Sequence, residues 1–237
     1  MPAFQQNGNI TYGTSTQYTV YQHGIQYIID NAQQIEIDRR RMVGQSISRS
    51  QRIKTAERST AQPWKFKVTP PAQIPWTTGR VVAEAISTGD RVAEYEISLN
   101  NSSGMNYITK YQGAMTSGQR SALTIASTGT STLVLTNLPA VSTSTVLFAA
   151  GDIIQPTNSR YPYAITDTVL RGSNTTTNVL LNRPLITSEG ISLIGQTVLI
   201  GNSCTWQVVL TIMPTYSLVY GQRMQYNGDF ELIEKII

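Results

Sequence analysis

The sequence predicts a mainly β protein, and three observations carry that prediction. β-branched and aromatic residues alternate with polar ones along much of the chain, most clearly in Trp64-Lys-Phe66-Lys-Val68. Between about Ser121 and Gly195, turn signals return at roughly 8–12-residue spacing, which is the pattern of a small barrel or sandwich. Only 14% of residues are charged while 40% are hydrophobic, against about a quarter charged in an ordinary soluble domain. Thr, Ser, Asn and Gln stand where charges would be, a composition that suits strands with hydroxyl-bearing outer faces.

Taken in order, residues 1–15 are rich in Gln, Asn, Gly, Thr and Ser and read as an arm that orders against a partner. Tyr18, Val20, Ile25, Tyr27 and Ile29 then alternate as in half-buried strands, with His23 in a polar strand or turn. Ile35, Ile37, Met42, Val43 and Ile47 continue in the same style, broken by the triplet Arg39–Arg41. Ile53 and the Trp64–Val68 run follow, and Pro70-Pro71 stops the latter because proline cannot donate to a ladder. One helix is expected next. Thr77 or Thr78 caps it, Val81, Val82, Ala85 and Ile86 share a face, and Gly89 ends it. Val92, Tyr95, Ile97 and Leu99 mark another strand, Asn100–Gly104 a turn, and Tyr107–Met115 a further strand.

From Ser121 the chain becomes Thr/Ser-rich with short apolar pairs such as Leu123/Ile125, Leu133–Leu135 and Val179–Leu181. Longer strands return at Cys204–Met213, Tyr216–Tyr220, Met224–Tyr226 and Phe230–Ile237, with Asn227-Gly228 as a hairpin turn. The economical organisation is an outer β domain of residues 16–121 and 197–237, interrupted by a small β domain of residues 122–196.

Charge is unevenly placed. Nine cations stand between Arg39 and Lys67 against Glu57, whereas Asp229, Glu231 and Glu234 face only Lys235 at the other end. Such asymmetry steers contact between unlike faces of neighbouring copies, and Arg39, Arg40, Arg41, Arg49, Arg52, Lys54 and Arg58 are the candidate electrostatic interface. Nucleic-acid binding is the competing use of these cations; their alternation with apolar residues favours strand outer faces instead.

Motifs for chemistry are missing from the sequence. Cys204 is the single cysteine, so no internal disulfide or cysteine-based zinc site can form, and a triad, zinc site or general base using histidine would rest on His23 alone, which reads better as a surface histidine. Cys204 before Trp206 reads as a small buried hydrophobe. No phosphate-binding glycine loop or nucleophile elbow is present. Asp152, Asp167 and Glu189 are the carboxylates to consider for glycoside chemistry, but Asp152 after Gly151 most simply fixes a turn. Trp64, Trp76 and Trp206 are dispersed and read as packing residues. The expectation is a non-enzyme without cofactor or metal. No apolar h-region opens the chain and no run of about 18 apolar residues exists, so neither secretion nor membrane spanning is expected.

Certain segments resemble a family. A basic strand set from Asp38-Arg-Arg-Arg41 through Gln45–Ser50 leads to Trp64-Lys-Phe66, a helix and Tyr107–Gly113. An inserted module follows, then Trp206…Met213-Pro-Thr-Tyr216…Asn227-Gly-Asp-Phe230-Glu231. This order is similar to tail-tube and distal-tail (baseplate) structural proteins of contractile-tailed bacteriophages. Within the insertion, Gly151–Gln155, Tyr161–Asp167 and Leu180–Ile186 resemble a small β module of phage tail proteins. The resemblance implies a tail-tube-like β-sandwich or barrel with one flanking helix and an inserted small β-barrel. It further implies a late virion protein made in the host cytoplasm. Its copies, six in number, would ring a DNA channel at the junction of tail tube and baseplate. Partners would be further copies and other tube and baseplate proteins, with DNA only in transit. The alternative reading is a receptor- or carbohydrate-binding tail module, which requires exposed aromatics on the insertion, where only Phe148, Tyr161 and Tyr163 are available.

Overall fold

A computed structural model of the 237-residue chain describes residues 17–39, 43–47, 53–57, 62–89, 92–99, 106–187 and 190–236. The elements of the first part are α1 (Gln17–Asp30), β1 (Gln34–Asp38), β2 (Val43–Ile47), β3 (Ile53–Glu57), β4 (Lys65–Thr69), β5 (Ile74–Pro75), α2 (Trp76–Gly89) and β6 (Glu94–Ser98). A short α3 (Ser117–Ser121) leads into β7 (Thr124–Thr128), β8 (Thr132–Thr136), β9 (Val146–Phe148), β10 (Ile153–Pro156), β11 (Tyr163–Ala164), β12 (Val169–Leu170), β13 (Thr177–Leu180) and β14 (Val198–Ile200). The chain closes with β15 (Thr205–Ile212), β16 (Tyr216–Val219), β17 (Arg223–Tyr226) and β18 (Phe230–Glu234). The protein is mainly β, in several antiparallel sheets, and among the described residues none of them closes into a barrel, against the expected inserted β-barrel.

The largest sheet has the order β1-β4-β18-β15-β6. Its inner face follows from alternation: Phe66 and Val68 on β4, Leu232 on β18, Trp206 and Val208 on β15, and Tyr95 and Ile97 on β6 are all buried. Opposite parity puts Lys65 and Lys67 outward, as the Trp64–Val68 alternation predicts. The inner face is covered by α1 and α2, which complete one core.

α1 corrects the sequence reading, which placed strands over Tyr18–Ile29. The buried positions are Gly24, Ile25, Ile28 and Ile29, a helical i, i+1, i+4, i+5 stripe. The alternation of Ile25, Tyr27 and Ile29 obscured it, since half-buried Tyr27 is not part of that stripe. Gly24 allows close approach: a Cβ there would stand 3.1 Å from Ala85 Cβ and 3.1 Å from Ile86 Cγ1 on α2. Gly24→Val should therefore cost about 1–3 kcal/mol by overpacking, read as a lower urea midpoint at unchanged slope.

α2 covers the expected stretch and buries Val82, Ala85 and Ile86, with Val81 half-buried, but it begins at Trp76, so Thr77 and Thr78 lie inside it rather than capping it. It is one of three helices among the described residues rather than the single helix expected. Asn227-Gly228 does not close a hairpin. β17 pairs with β16 and β5, while β18 pairs with β15 and β4, so these residues turn the corner between two sheets. Tyr107–Met115 is irregular rather than a strand, because its backbone groups are taken elsewhere. Gln112 N–H donates to Asp152 Oδ1 at 2.9 Å, Ala114 N–H to the Val146 carbonyl at 2.9 Å, and Met115 N–H to the Tyr111 hydroxyl at 3.1 Å. At Gly113 a side chain would collide with the Tyr111 ring and the Leu147 carbonyl.

A second core gathers Leu123, Leu133, Leu135, Leu147, Phe148, Tyr161, Tyr163, Val179 and neighbours. Three small sheets surround it, with orders β13-β8-β7, β11-β10-β14 and β12-β9. Short strands fit the many Gly and Asn turns of this stretch: Asn137, Gly151, Gly172, Gly190 and Gly195 all have positive φ.

Candidate assembly surface

Of the predicted electrostatic residues, the structure describes Arg39 and Lys54. Lys54 lies on β3, which pairs with β2 from Val43↔Glu57 to Ile47↔Ile53. Among the described residues this two-stranded ribbon joins no other sheet. Arg40, Arg41, Arg49, Arg52 and Arg58 lie in the segments flanking these strands, outside the described residues. Arg39, at the end of β1, is exposed, and its guanidinium carbon sits 5.5 Å from the centroid of the Trp64 ring.

The charge balance of the chain is concentrated here. Residues 40–61 hold six cations (Arg40, Arg41, Arg49, Arg52, Lys54, Arg58) against Glu57, a net of +5. The whole chain carries +4, so the remainder carries −1. Lys65 and Lys67 do not extend the basic surface. On the outer face of the large sheet they alternate with Glu36, Asp38 and Glu231 across strands, and together these side chains line a groove of about 690 Å³. Lys67 Nζ lies 3.3 Å from Asp229 and 3.9 Å from Glu36. Its hydrogen bond to Asp229, then the Glu36 charge, holds its ammonium above the ordinary lysine range.

The two edges of the chain's outer strands are treated differently. On β6 the Gln26 side chain from α1 acts as a surrogate strand: its Nε2 donates to the Ser98 carbonyl and its Oε1 accepts from Ser98 N–H, both at 2.9 Å. Such capping is how a sheet edge is protected from stray pairing. β16 has no such cap among the described residues. It is the outer strand of the sheet β16-β17-β5, with Tyr216, Ser217 and Leu218 exposed. Leu218 is 66% exposed and Tyr220, at the hairpin tip, is fully exposed. The tip itself is held: Gly221 and Gln222 take positive φ, and the Gln222 carbonyl accepts from Trp76 N–H at 2.8 Å.

A buried ion pair joins the two cores. Arg183 donates through Nη2 to Glu234 Oε1 at 2.7 Å and through Nη1 to Glu234 Oε2. It also reaches the Gln62 carbonyl at 2.6 Å and the Pro162 carbonyl at 2.8 Å, and packs over the Tyr163 ring. Glu234 in turn accepts from Trp64 N–H at 3.0 Å. Sequence reading counted Glu234 only as part of an acidic tail and gave Arg183 no role. Their positions in the alternation hold the available clue, since Glu234 follows Phe230 and Leu232 on the inward parity of β18.

The carboxylates considered for hydrolysis are not brought together. Asp152 is buried, and its oxygens accept from Gln112 N–H and Ala149 N–H at 2.9 Å each, which pins the turn at Gly151. Burial raises its carboxyl above the ordinary aspartate range, against those backbone hydrogen bonds. Asp167 is exposed and Glu189 lies outside the described residues. His23 lies in α1 rather than in a strand or turn, and Cys204 is fully buried with its thiol pushed far up by desolvation. Trp64 and Trp206 pack with ring centroids 5.6 Å apart in the core, and Trp76 leans on Tyr216 at 6.4 Å. Phe148, Tyr161 and Tyr163 are at most 1% exposed, so they form no aromatic platform for sugar.

Among the described residues no group of three or more His, Cys, Asp or Glu is placed to hold a metal. No helix there is long and apolar enough to cross a membrane. No protein-family model matches the chain, and no curated protein sequence matches it.

Proposed function

We propose that this chain is a structural, non-enzymatic subunit of a phage tail, six copies of which form a ring around the DNA channel where tail tube meets baseplate. The observation that carries the reading is the β2–β3 ribbon, which joins no other sheet among the described residues and lies within a stretch, residues 40–61, of net charge +5 in the sequence. An isolated hairpin is marginal in water, so this one calls for a surface supplied from outside. A body of net −1 beside a ribbon segment of net +5 gives unlike faces that meet head to tail, and such heterologous contacts close into a ring when the rotation fits. The family resemblance supplies the tail setting, the copy number and the tail-tube sandwich. Tube and baseplate proteins would be the further partners, DNA would pass through the lumen, and the virion tail would be the place of residence. The buried aromatics of the second core favour this reading over a carbohydrate-binding module.

Light scattering and imaging of the purified protein test it. The expected particle has six times the 26.1 kDa chain mass and a central hole. It should dissociate on going from 0.1 to 1 M salt, as the screening length falls from about 10 to about 3 Å. A compact trimer, or hydrolysis of a glycan by the purified chain, would overturn the proposal.

A further inference from the structure

We propose that Asn227 is a site of spontaneous, backbone-assisted deamidation, and that the hydroxyls of Ser217 and Thr215 set its rate by holding the carboxamide off the Gly228 nitrogen. This chemistry belongs to the corner between two sheets and is independent of the ring reading.

The reacting atoms are accessible. Asn227 and Gly228 are both exposed. Gly228 has no Cβ to shield its backbone nitrogen, and its φ of 130° lies in the region that favours glycine. Even an added Cβ would stand 3.7 Å from Pro214 Cβ, so the approach is uncrowded. Solvent water is the sole co-reactant. The Gly228 nitrogen gives its proton to water and bonds to Asn227 Cγ; the Cγ–Nδ2 bond breaks, and Nδ2 takes up a proton and leaves as ammonia. Water then opens the resulting succinimide. Breaking the new bond from nitrogen to Cγ leaves aspartate. Breaking the bond from nitrogen to the Asn227 backbone carbonyl leaves isoaspartate, with the chain running through the former side chain.

The leaving group is tethered. Asn227 Nδ2 donates to Ser217 Oγ at 2.8 Å and, at the long end of the range, to Thr215 Oγ1 at 3.5 Å. The Asn227 N–H donates to the Thr215 carbonyl at 2.7 Å. Backbone and side chain of Asn227 thus both lean on β16 and the residue before it. Bringing Cγ onto the Gly228 nitrogen turns the carboxamide about Cα–Cβ at the expense of both side-chain contacts. The products alter the corner. A carboxylate at this position cannot donate, so the two hydroxyls must turn to donate instead. Isoaspartate also adds a methylene to the backbone three residues before Phe230, which is buried and pairs with Val68 in the five-stranded sheet. The new charge stands two residues from Asp229, which Lys67 Nζ already approaches at 3.3 Å.

Timed incubation of the full-length protein in mildly alkaline buffer, then digestion with trypsin and mass spectrometry, tests the proposal. Cleavage after Arg223 and Lys235 releases residues 224–235, which separates Asn227 from Asn7-Gly8, the other Asn-Gly pair of the chain. Fragmentation tells Asn227 from Gln225, and isoaspartate from aspartate. The parent protein should accumulate both products. Ser217→Ala should convert roughly fivefold faster, the equivalent of one lost hydrogen bond. Ser217→Thr keeps the hydroxyl and should return to the parent rate. Ser217 is exposed on an outer strand, and an unchanged urea midpoint shows that the faster rate is not unfolding. Equal rates for the parent and the alanine variant would overturn the proposal. So would aspartate without isoaspartate, the mark of direct hydrolysis, or a native chain that stays unmodified while the urea-unfolded chain converts.

Discussion

Glu234→Ala is expected to destabilise the protein by about 3–5 kcal/mol, the cost of leaving a buried cation without its counterion. Arg183 has no route to water: its side chain is 4% exposed and its Glu234 partner is at 0%. The variant keeps only carbonyl acceptors for the guanidinium and also strips the Trp64 N–H of its acceptor. Arg183→Met with Glu234 intact should cost a similar amount for the opposite reason, an orphaned carboxylate. The double variant Arg183→Met/Glu234→Met is the discriminating protein, because apolar replacement of a whole buried pair is often close to neutral. Denaturant midpoints of the four proteins form a cycle. A double variant as unstable as the sum of the singles would show that the hydrogen bonds to Gln62, Pro162 and Trp64, rather than the charge pair, hold the junction.

Trp206→Ala is the second large effect, at about 3–5 kcal/mol. Trp206 is fully buried, 5.6 Å from the Trp64 ring and 5.7 Å from Phe66, on the inner face of β15 between β18 and β6. Its indole N–H finds no acceptor among the described residues. Removing a buried donor that lacks a partner recovers part of the lost packing. Trp206→Phe should therefore be far milder than alanine, within about 2 kcal/mol of the parent. Near-UV circular dichroism and thermal unfolding read both variants. A phenylalanine variant as unstable as alanine would mean that the indole N–H is satisfied, by water for example.

Legibility from sequence followed the reach of the interactions. The strand at Trp64–Val68, the strand through Tyr95 and Ile97, the long strand before Met213 and the helix over Val81–Ile86 were all readable, because each buries a face by its own periodicity. α1 was misread since Ile25, Tyr27 and Ile29 satisfy a strand template while Gly24 and Ile28, which complete the helical face, look unremarkable without α2 beside them. Tyr107–Met115 has strand composition but its donors go to Asp152, Tyr111 and Val146, which are partners no local pattern reveals. Asn227-Gly228 was recognised as a turn, yet which strands it separates depends on pairings made elsewhere in the chain. As for the candidate surface, the cation cluster was visible in the sequence. That Lys54 lies on a ribbon which, among the described residues, joins no other sheet was not legible, and neither was the exposure of Leu218, because both are properties of the whole arrangement.

The order β1-β4-β18-β15-β6 also sets a timetable. β18 lies between β4 and β15, so the last of the described strands to be synthesised sits inside the sheet rather than at its rim. The buried residues of the second core all fall between Met115 and Ile200, so this core can collapse while the ribosome is still adding β15 and β16. The large sheet cannot: its two halves meet only when Phe230–Glu234 arrives, and contacts so distant in sequence form slowly. A nascent or prematurely terminated chain thus presents a finished inner module beside a sheet with a missing central strand. Until Phe230–Glu234 has been added, the large sheet therefore stays open between β4 and β15.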